Sequence, residues 1–346
     1  DGTMKYRLGE SGEFVDSIPN GKDAGSYTVY YKVVGDENHN DTEPASVPVS
    51  IGKKPLPITG VTAESKPYDG TTNADITSVT FDNVILNRDT DYTVTASFKD
   101  AGVGNGKDIT ATVTLMDQAA KNYFLEQSSI RTTGSITAKE VTVTITPNGG
   151  TYGSVTAATA TLSGVVDGET VPVTLTYTGN GYNSTNVPTD VDSYKVTASI
   201  ADNNYILTGK TIANFVITPK AVTVSGITAK DKAYDGNTAA ELVFSNAKFD
   251  GILENDTLTV TAKGVFVKTE AGKRNVAISD LTLGGKSAAN YVLATDGQQT
   301  TTTATITKKQ ITVTITSNGG IYGETITPAT VKANDVVGED TPTITL

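Results

Sequence analysis

The 346-residue chain contains no cysteine, no tryptophan and one histidine. Without cysteine there is no disulfide framework, thiol nucleophile, thiolate zinc site or iron–sulfur cluster. A histidine-based Ser-His-Asp triad would have to use His39. That residue sits in the polar string Asp36-Glu37-Asn38-His39-Asn40-Asp41, which reads as an exposed loop between two strands. No apolar run approaches the roughly 20 residues of a membrane span. No signal-peptide pattern is present, so the targeting and anchoring segments of an exported protein are expected outside these residues. Basic residues are in the minority, 27 Lys and Arg against 38 Asp and Glu, for a net charge of −11. Such a field repels nucleic-acid phosphates and anionic membranes, so neither is expected as a partner.

What the chain does have is glycine, 33 residues of it, and long alternations of threonine with valine or isoleucine. β-Branched residues pack well on a pleated surface and are stiff in helices, which favours strands. In Val141 to Thr146 the alternation is strict, placing Val141, Val143 and Ile145 on one face and the threonines on the other. The same reading applies to 92–96, 111–115, 214–217 and 258–262. Glycine-bearing turns at 69–70, 102–106 and 147–150 separate such segments. No long stretch carries a helical period. Short strands at spacings of about 8–12 residues predict a sandwich or barrel.

Internal repetition organises the sequence. Lys66-Pro67-Tyr68-Asp69-Gly70-Thr71-Thr72 returns as Lys232-Ala233-Tyr234-Asp235-Gly236-Asn237-Thr238. Ala120-Lys121-Asn122-Tyr123-Phe124-Leu125 is matched by Ala289-Asn290-Tyr291-Val292-Leu293. A second repeat type alternates with the first, Val141 to Gly150 returning as Ile311 to Gly320, each followed by Tyr-Gly at 152–153 and 322–323. The expected segments are 1–52, the second half of an Ig-like module of type B; 53–138, a first module of type A; 139–219, a module of type B; 220–308, a second A; and 309–346, the first half of a second B. The two half-modules read as the cut ends of a longer array, or as halves that complement each other between neighbouring chains, since an unpaired strand edge is a template for another chain. Short lysine-bearing junctions at 52–55, 137–140, 218–221 and 307–310 leave little slack. The prediction is therefore an all-β chain of tandem small β-sandwich (Ig-like) modules in an elongated, stiff rod, with small contacts between modules.

The Tyr-Asp-Gly string has two readings. In the first, Asp69 and Asp235 cap a tight turn, the glycine supplies positive φ, and the tyrosine packs the module edge. In the second, Tyr68 and Tyr234 are carbohydrate-stacking platforms with Asp69 and Asp235 as hydrogen-bond acceptors. Repetition at the same place in each module favours the first. Asp36, Asn38 and Asn40 stand at the spacing of a calcium loop, and Ca²⁺ suits an acidic surface, but Asp41 and Val47 occupy the positions that want glycine and glutamate. No cofactor and no metal site is assigned. The carboxylate pairs Asp89/Asp91 and Glu254/Asp256 read as matching turn residues rather than as an acid and a base. Gly102 to Gly106 lacks the lysine and serine of a phosphate loop. A Lys–Asn or Lys–Asp isopeptide cross-link would suit such a chain, but nothing in the sequence locates one.

The strings at 66–72 and 232–238 resemble the signature of the YDG domain. The Gly-Gly-x-Tyr-Gly stretches at 149–153 and 319–323 resemble the MBG-type repeat, and Asp23 to Val33 is similar to Ig-like repeats of Gram-positive surface proteins. The resemblance implies a large secreted, cell-surface, adhesin-like bacterial protein and supplies no catalytic residues. The expected function is a non-catalytic stalk or spacer segment, extracellular, whose partners are the neighbouring modules of the same polypeptide; the alternative is an array of modules binding host or environmental glycans or proteins. A monomer is expected, with end-to-end association left open.

Overall fold

Threonine–valine alternation requires two-sided strands with one buried face, and this is what forms. The computed structural model describes residues 2–326 and 328–345; Asp1, Thr327 and Leu346, the last position of the expected 309–346 half-module, lie outside the described residues. The fold is all-β, and the helical pieces among the described residues are Asp117–Asn122 and the single 3-10 turn Ala288–Asn290. Contacts divide the chain into two compact units, one of residues 1–144, 161–173 and 199–209, the other of residues 145–160, 174–198 and 210–346.

The first unit opens with an antiparallel sheet of Thr3–Leu8, Gly25–Val34 and Ala45–Ile51. Its register sets Tyr6 opposite Tyr31 and Leu8 opposite Val29, and then Val29 opposite Val47 and Tyr27 opposite Val49. Next come the hairpin Ile58–Ala63 with Ile76–Phe81 and a four-stranded sheet ordered Lys66–Pro67, Ser129–Thr137, Gly104–Leu115, Tyr92–Phe98. Along Gly104–Leu115 every second residue from Ile109 to Val113 is buried, the pleat acting as the sequence requires.

Lys139 to Val143 then pairs in parallel with Tyr205 to Gly209. Val141, Val171 and Tyr205 belong to one apolar cluster with Tyr68, Ile76, Phe98, Ile109 and Ile136. Small contacts between modules are therefore not what is found here. Side chains from 53–138 and from 139–219 share a core, because Tyr68 and Ile136 present apolar surface at the very edge from which the next strand departs.

In the second unit a six-stranded sheet runs Ser154–Val155, Gly150–Thr151, Ile212–Thr218, Asp192–Ser199, Thr174–Gly179, Tyr182–Ser184. Tyr177, Tyr194, Val196, Phe215 and Ile217 are its buried residues, clustered with Ala158 and packed against Ile145 and Val155. A five-stranded sheet follows, ordered Lys232–Ala233, Thr301–Thr307, Gly272–Gly284, Thr259–Phe266, Ala239–Ala240. The last element is the hairpin Thr312–Thr316 with Thr330–Asn334.

Candidate functional site

The Tyr-Asp-Gly strings each leave a two-residue parallel strand. Lys66 and Pro67 pair with Ile136 and Thr137, and Lys232 and Ala233 with Ile306 and Thr307. The tyrosine N–H then donates to the threonine carbonyl, Tyr68 to Thr137 at 2.8 Å and Tyr234 to Thr307 at 2.9 Å. The turn that follows is closed by the aspartate, whose Oδ1 accepts the N–H two residues on, Thr71 at 2.9 Å and Asn237 at 3.1 Å. Gly70 and Gly236 take φ of 76° and 79°, the left-handed conformation that glycine tolerates best. A lysine ties each turn from below: Lys66 Nζ lies 2.8 Å from Asp69 Oδ1 and 5.8 Å from the Phe98 ring centre. Lys232 Nζ repeats this with Asp235 at 2.8 Å and Phe266 at 5.4 Å, and also reaches Asn237 Oδ1 at 2.9 Å. The Lys232 ammonium, with the Asn237 N–H, holds the Asp235 carboxyl below the usual carboxylate range.

The tyrosine points away from this turn and into a clamp. Tyr68 Oη donates to Glu169 Oε1 at 2.7 Å, and Tyr205 Oη donates to Glu169 Oε2 at 2.6 Å. The Val166 N–H donates to Tyr205 Oη at 3.1 Å. The two rings meet edge to face, 5.4 Å apart at 79°. The second unit builds the same device from different residues. Tyr152 Oη donates to Asp256 Oδ2 at 3.0 Å, Tyr291 Oη donates to the same oxygen, and the Leu253 N–H donates to Tyr291 Oη at 2.9 Å. Here the rings are 5.3 Å apart at 76°. In each clamp one carboxylate is shared by a tyrosine of one repeat and a tyrosine of the next.

These contacts set the charge states. Hydrogen bonds from Tyr205 and Tyr68 hold the Glu169 carboxyl below its ordinary value, and the bond from Tyr291 does the same for Asp256. The Glu169 hydrogen bond, with burial, pushes the Tyr68 phenol up to about 12; burial, with the Asp256 hydrogen bond, pushes Tyr291 up to about 12. All four groups are thus fixed in one protonation state at neutral pH. That suits a structural joint and not a proton-transfer site, where a group poised near the working pH is wanted.

An asparagine precedes each partner tyrosine and makes a second tie. Asn122 Oδ1 accepts the Ala24 N–H at 2.9 Å, Asn204 Oδ1 the Val103 N–H at 3.0 Å, and Asn290 Oδ1 the Val191 N–H at 2.9 Å. Asn122 Nδ2 also donates to Asp23 Oδ1 at 3.1 Å, and Asn290 Nδ2 to Asp190 Oδ1 at 3.0 Å. The following residue starts a parallel strand against a lysine of the junction: Tyr123 faces Lys54, Tyr205 faces Lys139 and Tyr291 faces Lys220. The Asn-Tyr pairs at 122–123 and 290–291 stand out in the sequence, and Asn204-Tyr205 completes the set. Glu169 carries no sequence signal that points to a tyrosine, and Asp256 is legible only as one of the turn carboxylates of the Glu254/Asp256 pair.

The remaining expected residues fall as follows. Tyr68 is 7% exposed, so its ring offers no open face to a sugar, and the stacking-platform reading is corrected there. Asp69 and Asp235 are exposed, but their carboxylates close their own turns. Tyr234 is half-buried, and the Asp340 carboxylate beside it, together with burial, pushes its phenol up. It lines a cavity of about 520 Å³ with Glu270, Lys308, Lys309, Asp335 and Asp340. In the calcium-like string, Asp36 Oδ1 turns onto its own loop, accepting the Asn38 N–H at 2.9 Å and contacting His39 Nδ1 at 2.6 Å. Among the described residues no group of three or more His, Asp or Glu is placed to hold a metal. Of the carboxylate pairs, Asp91 accepts the Asn87 N–H at 2.7 Å, closing its own turn, while Asp256 is the hub of the second clamp.

Comparison with curated proteins finds no match. A family model, that of the YDG domain, matches the chain twice, over residues 52–131 and 218–303.

Proposed function

We propose, taking the two YDG-domain stretches as the premise, that this chain is a non-catalytic stalk or spacer segment of a secreted or cell-wall-anchored, adhesin-like bacterial surface protein. On this reading the modules are 53–138 and 220–308 of YDG type, alternating with 139–219 and the half-modules 1–52 and 309–346, of MBG or Ig-like type. The observation that carries it is the use to which the signature tyrosine is put. Tyr68 is spent on Glu169 and Tyr205 of the following repeat, so the residue most diagnostic of the domain builds a joint. A joint repeated along a chain resists bending and suits projection of a distal domain from a cell surface. The acidic surface keeps such a projection soluble. Solution X-ray scattering of the whole chain tests the idea: the profile of a stiff rod is expected, and that of a compact globule would overturn it.

A second reading is favoured by one observation, the cavity beside Tyr234. Its half-buried ring, Lys309 and Asp340 are the mixture of apolar face and polar tips that binds sugars or short peptides. Glycan arrays of mucin and plant oligosaccharides test this, with binding lost in Tyr234→Ala; silence across both sets would discard it.

A further inference from the structure

The hairpin that joins Thr259–Phe266 to Gly272–Gly284 has a counterpart in the first unit, between Tyr92–Phe98 and Gly104–Leu115. Register makes the two comparable residue by residue. Phe98 faces Ile109 and Phe266 faces Val276. Just beyond, the Lys99 N–H donates to Asp108 O at 3.0 Å and the Val267 N–H to Asn275 O at 2.9 Å. Asp108 thus corresponds to Asn275, Lys107 to Arg274 and Asp100 to Lys268.

The charges do not correspond. In the first hairpin Lys107 pairs with Asp100, and Lys99 and Asp108 keep the balance at zero. In the second both carboxylates are replaced, and Lys268, Lys273 and Arg274 line a cavity of about 220 Å³ with Val267 and Asn275. Lys268 and Lys273 are exposed, and among the described residues no carboxylate pairs with any of the three cations. Glu270, the acid of the same loop, lines the cavity beside Tyr234 instead. Arg274 is fixed by backbone, its Nε donating to Glu270 O at 2.8 Å and its Nη2 to Ala271 O at 2.9 Å. A guanidinium has five N–H donors, so one held in this way still has donors for a ligand.

The turn itself does not require these charges, since the first hairpin forms with a balanced set. Gathering three like charges costs repulsion. In a chain of net charge −11 they make a local cationic spot, the place where a small anion collects. The openness of the spot belongs to its position in the module: Lys99, Asp100 and Asp108 are exposed in the first hairpin too, where a full repeat follows.

Size and lining narrow the ligand. About 220 Å³ is below the roughly 300–1,000 Å³ of drug-sized sites, which suits one sugar-sized unit and not an oligomer. Val267 is 64% exposed and offers an apolar edge. Asn275 faces Thr303 and Lys273 faces Thr305, so a carboxamide and hydroxyls stand beside the charges. A polyanion such as nucleic acid would bring further phosphates against an acidic surface.

We infer that the hairpin at 267–275 binds an acidic sugar unit, with carboxylate or sulfate oxygens on Lys268, Lys273 and Arg274 and the ring against Val267 and Asn275. The site is independent of the stalk role and of the cavity beside Tyr234, which other residues line.

Amide NMR shifts of the full chain, titrated with glucuronic acid and with glucose 6-sulfate, test this. Glucose and sodium sulfate are the controls. Saturable shifts confined to residues around 267–275 are expected with at least one charged sugar, and whichever binds identifies the anion. The first hairpin, 99–108, should not respond, and added salt should weaken the binding. Lys273→Gln is expected to weaken it at least several-fold with the rest of the spectrum unchanged, and Lys273→Arg to retain it. Four results would overturn the inference: no saturable shift with either charged sugar, equal binding of glucose, sodium sulfate binding as tightly as the sugars, or unchanged affinity in Lys273→Gln.

Discussion

Tyr68 Oη lies 2.7 Å from Glu169 Oε1, a carboxylate 101 positions further along the chain. Tyr152 and Asp256, 104 positions apart, stand in the same relationship at 3.0 Å. In both cases the carboxylate is shared with a second tyrosine that sits one residue after an asparagine tie. A charged acceptor held by two phenols strengthens both bonds, since ionised partners roughly double a hydrogen bond's strength. It also makes the removal of one partner costly, because the others lose their geometry together.

The clamps predict the pH profile of stability. Glu169 titrates below its ordinary 4.5 and Asp256 below its ordinary 3.8 in the folded chain. Their contribution is therefore complete above those values and is lost as pH falls through the depressed folded-state ones. Tyr68 and Tyr291 are raised from 10.0 to about 12, so the folded chain keeps protons that the unfolded chain gives up. That contribution is intact below pH 10 and is lost between pH 10 and about 12. Thermal melts followed by circular dichroism across pH should show both limbs, and Glu169→Gln should flatten the acid one.

Gly70 should be harder to replace than Gly106, although both have positive φ, 76° and 59°. A Cβ on Gly70 would stand 3.2 Å from Glu169 Oε1 and 3.2 Å from Val166 Cγ1, whereas one on Gly106 meets nothing within 4 Å. Gly106→Ala is expected to cost about 1 kcal/mol, the conformational term alone. Gly70→Ala should exceed it by the cost of moving the clamp. Urea midpoints of the two variants check the order.

Asn290→Ala should free the Val191 N–H, which donates to Asn290 Oδ1, and raise its hydrogen-exchange rate at least several-fold. Asn290→Asp should do more harm than alanine. It would set a carboxylate against Asp190, to which the Asn290 amide donates at 3.0 Å. Amide exchange followed by NMR reads the first effect and the melting temperature the second.

How much of this was legible in sequence follows the range of the interactions. The strand at Val141 to Thr146 is found as Lys139–Thr146 with Val141 and Val143 buried, because a period of two is a local property. The Asp-Gly turns are found for the same reason. The expected strand at 258–262 forms as Thr259–Phe266, and the glycine run at 102–106 enters a strand at Gly104, where turn composition hides a strand start. The helix Asp117–Asn122 has six residues, too few to display a helical period. What sequence could not give is the partner of Tyr68. Nothing in Val166-Asp167-Gly168-Glu169 marks a carboxylate that meets a tyrosine about 100 residues away, and the same holds for Asp256. The shared core of Tyr68, Val141 and Tyr205 was hidden likewise: periodicity reports that a residue is buried, never against what.

The central claim is that the signature tyrosine and the next repeat's carboxylate act as one joint. A double-mutant cycle of Tyr68→Phe and Glu169→Gln, read by denaturant unfolding of the full chain, tests it most directly. The prediction is strong coupling, with the double variant scarcely less stable than either single one. Two losses that simply add would contradict the account.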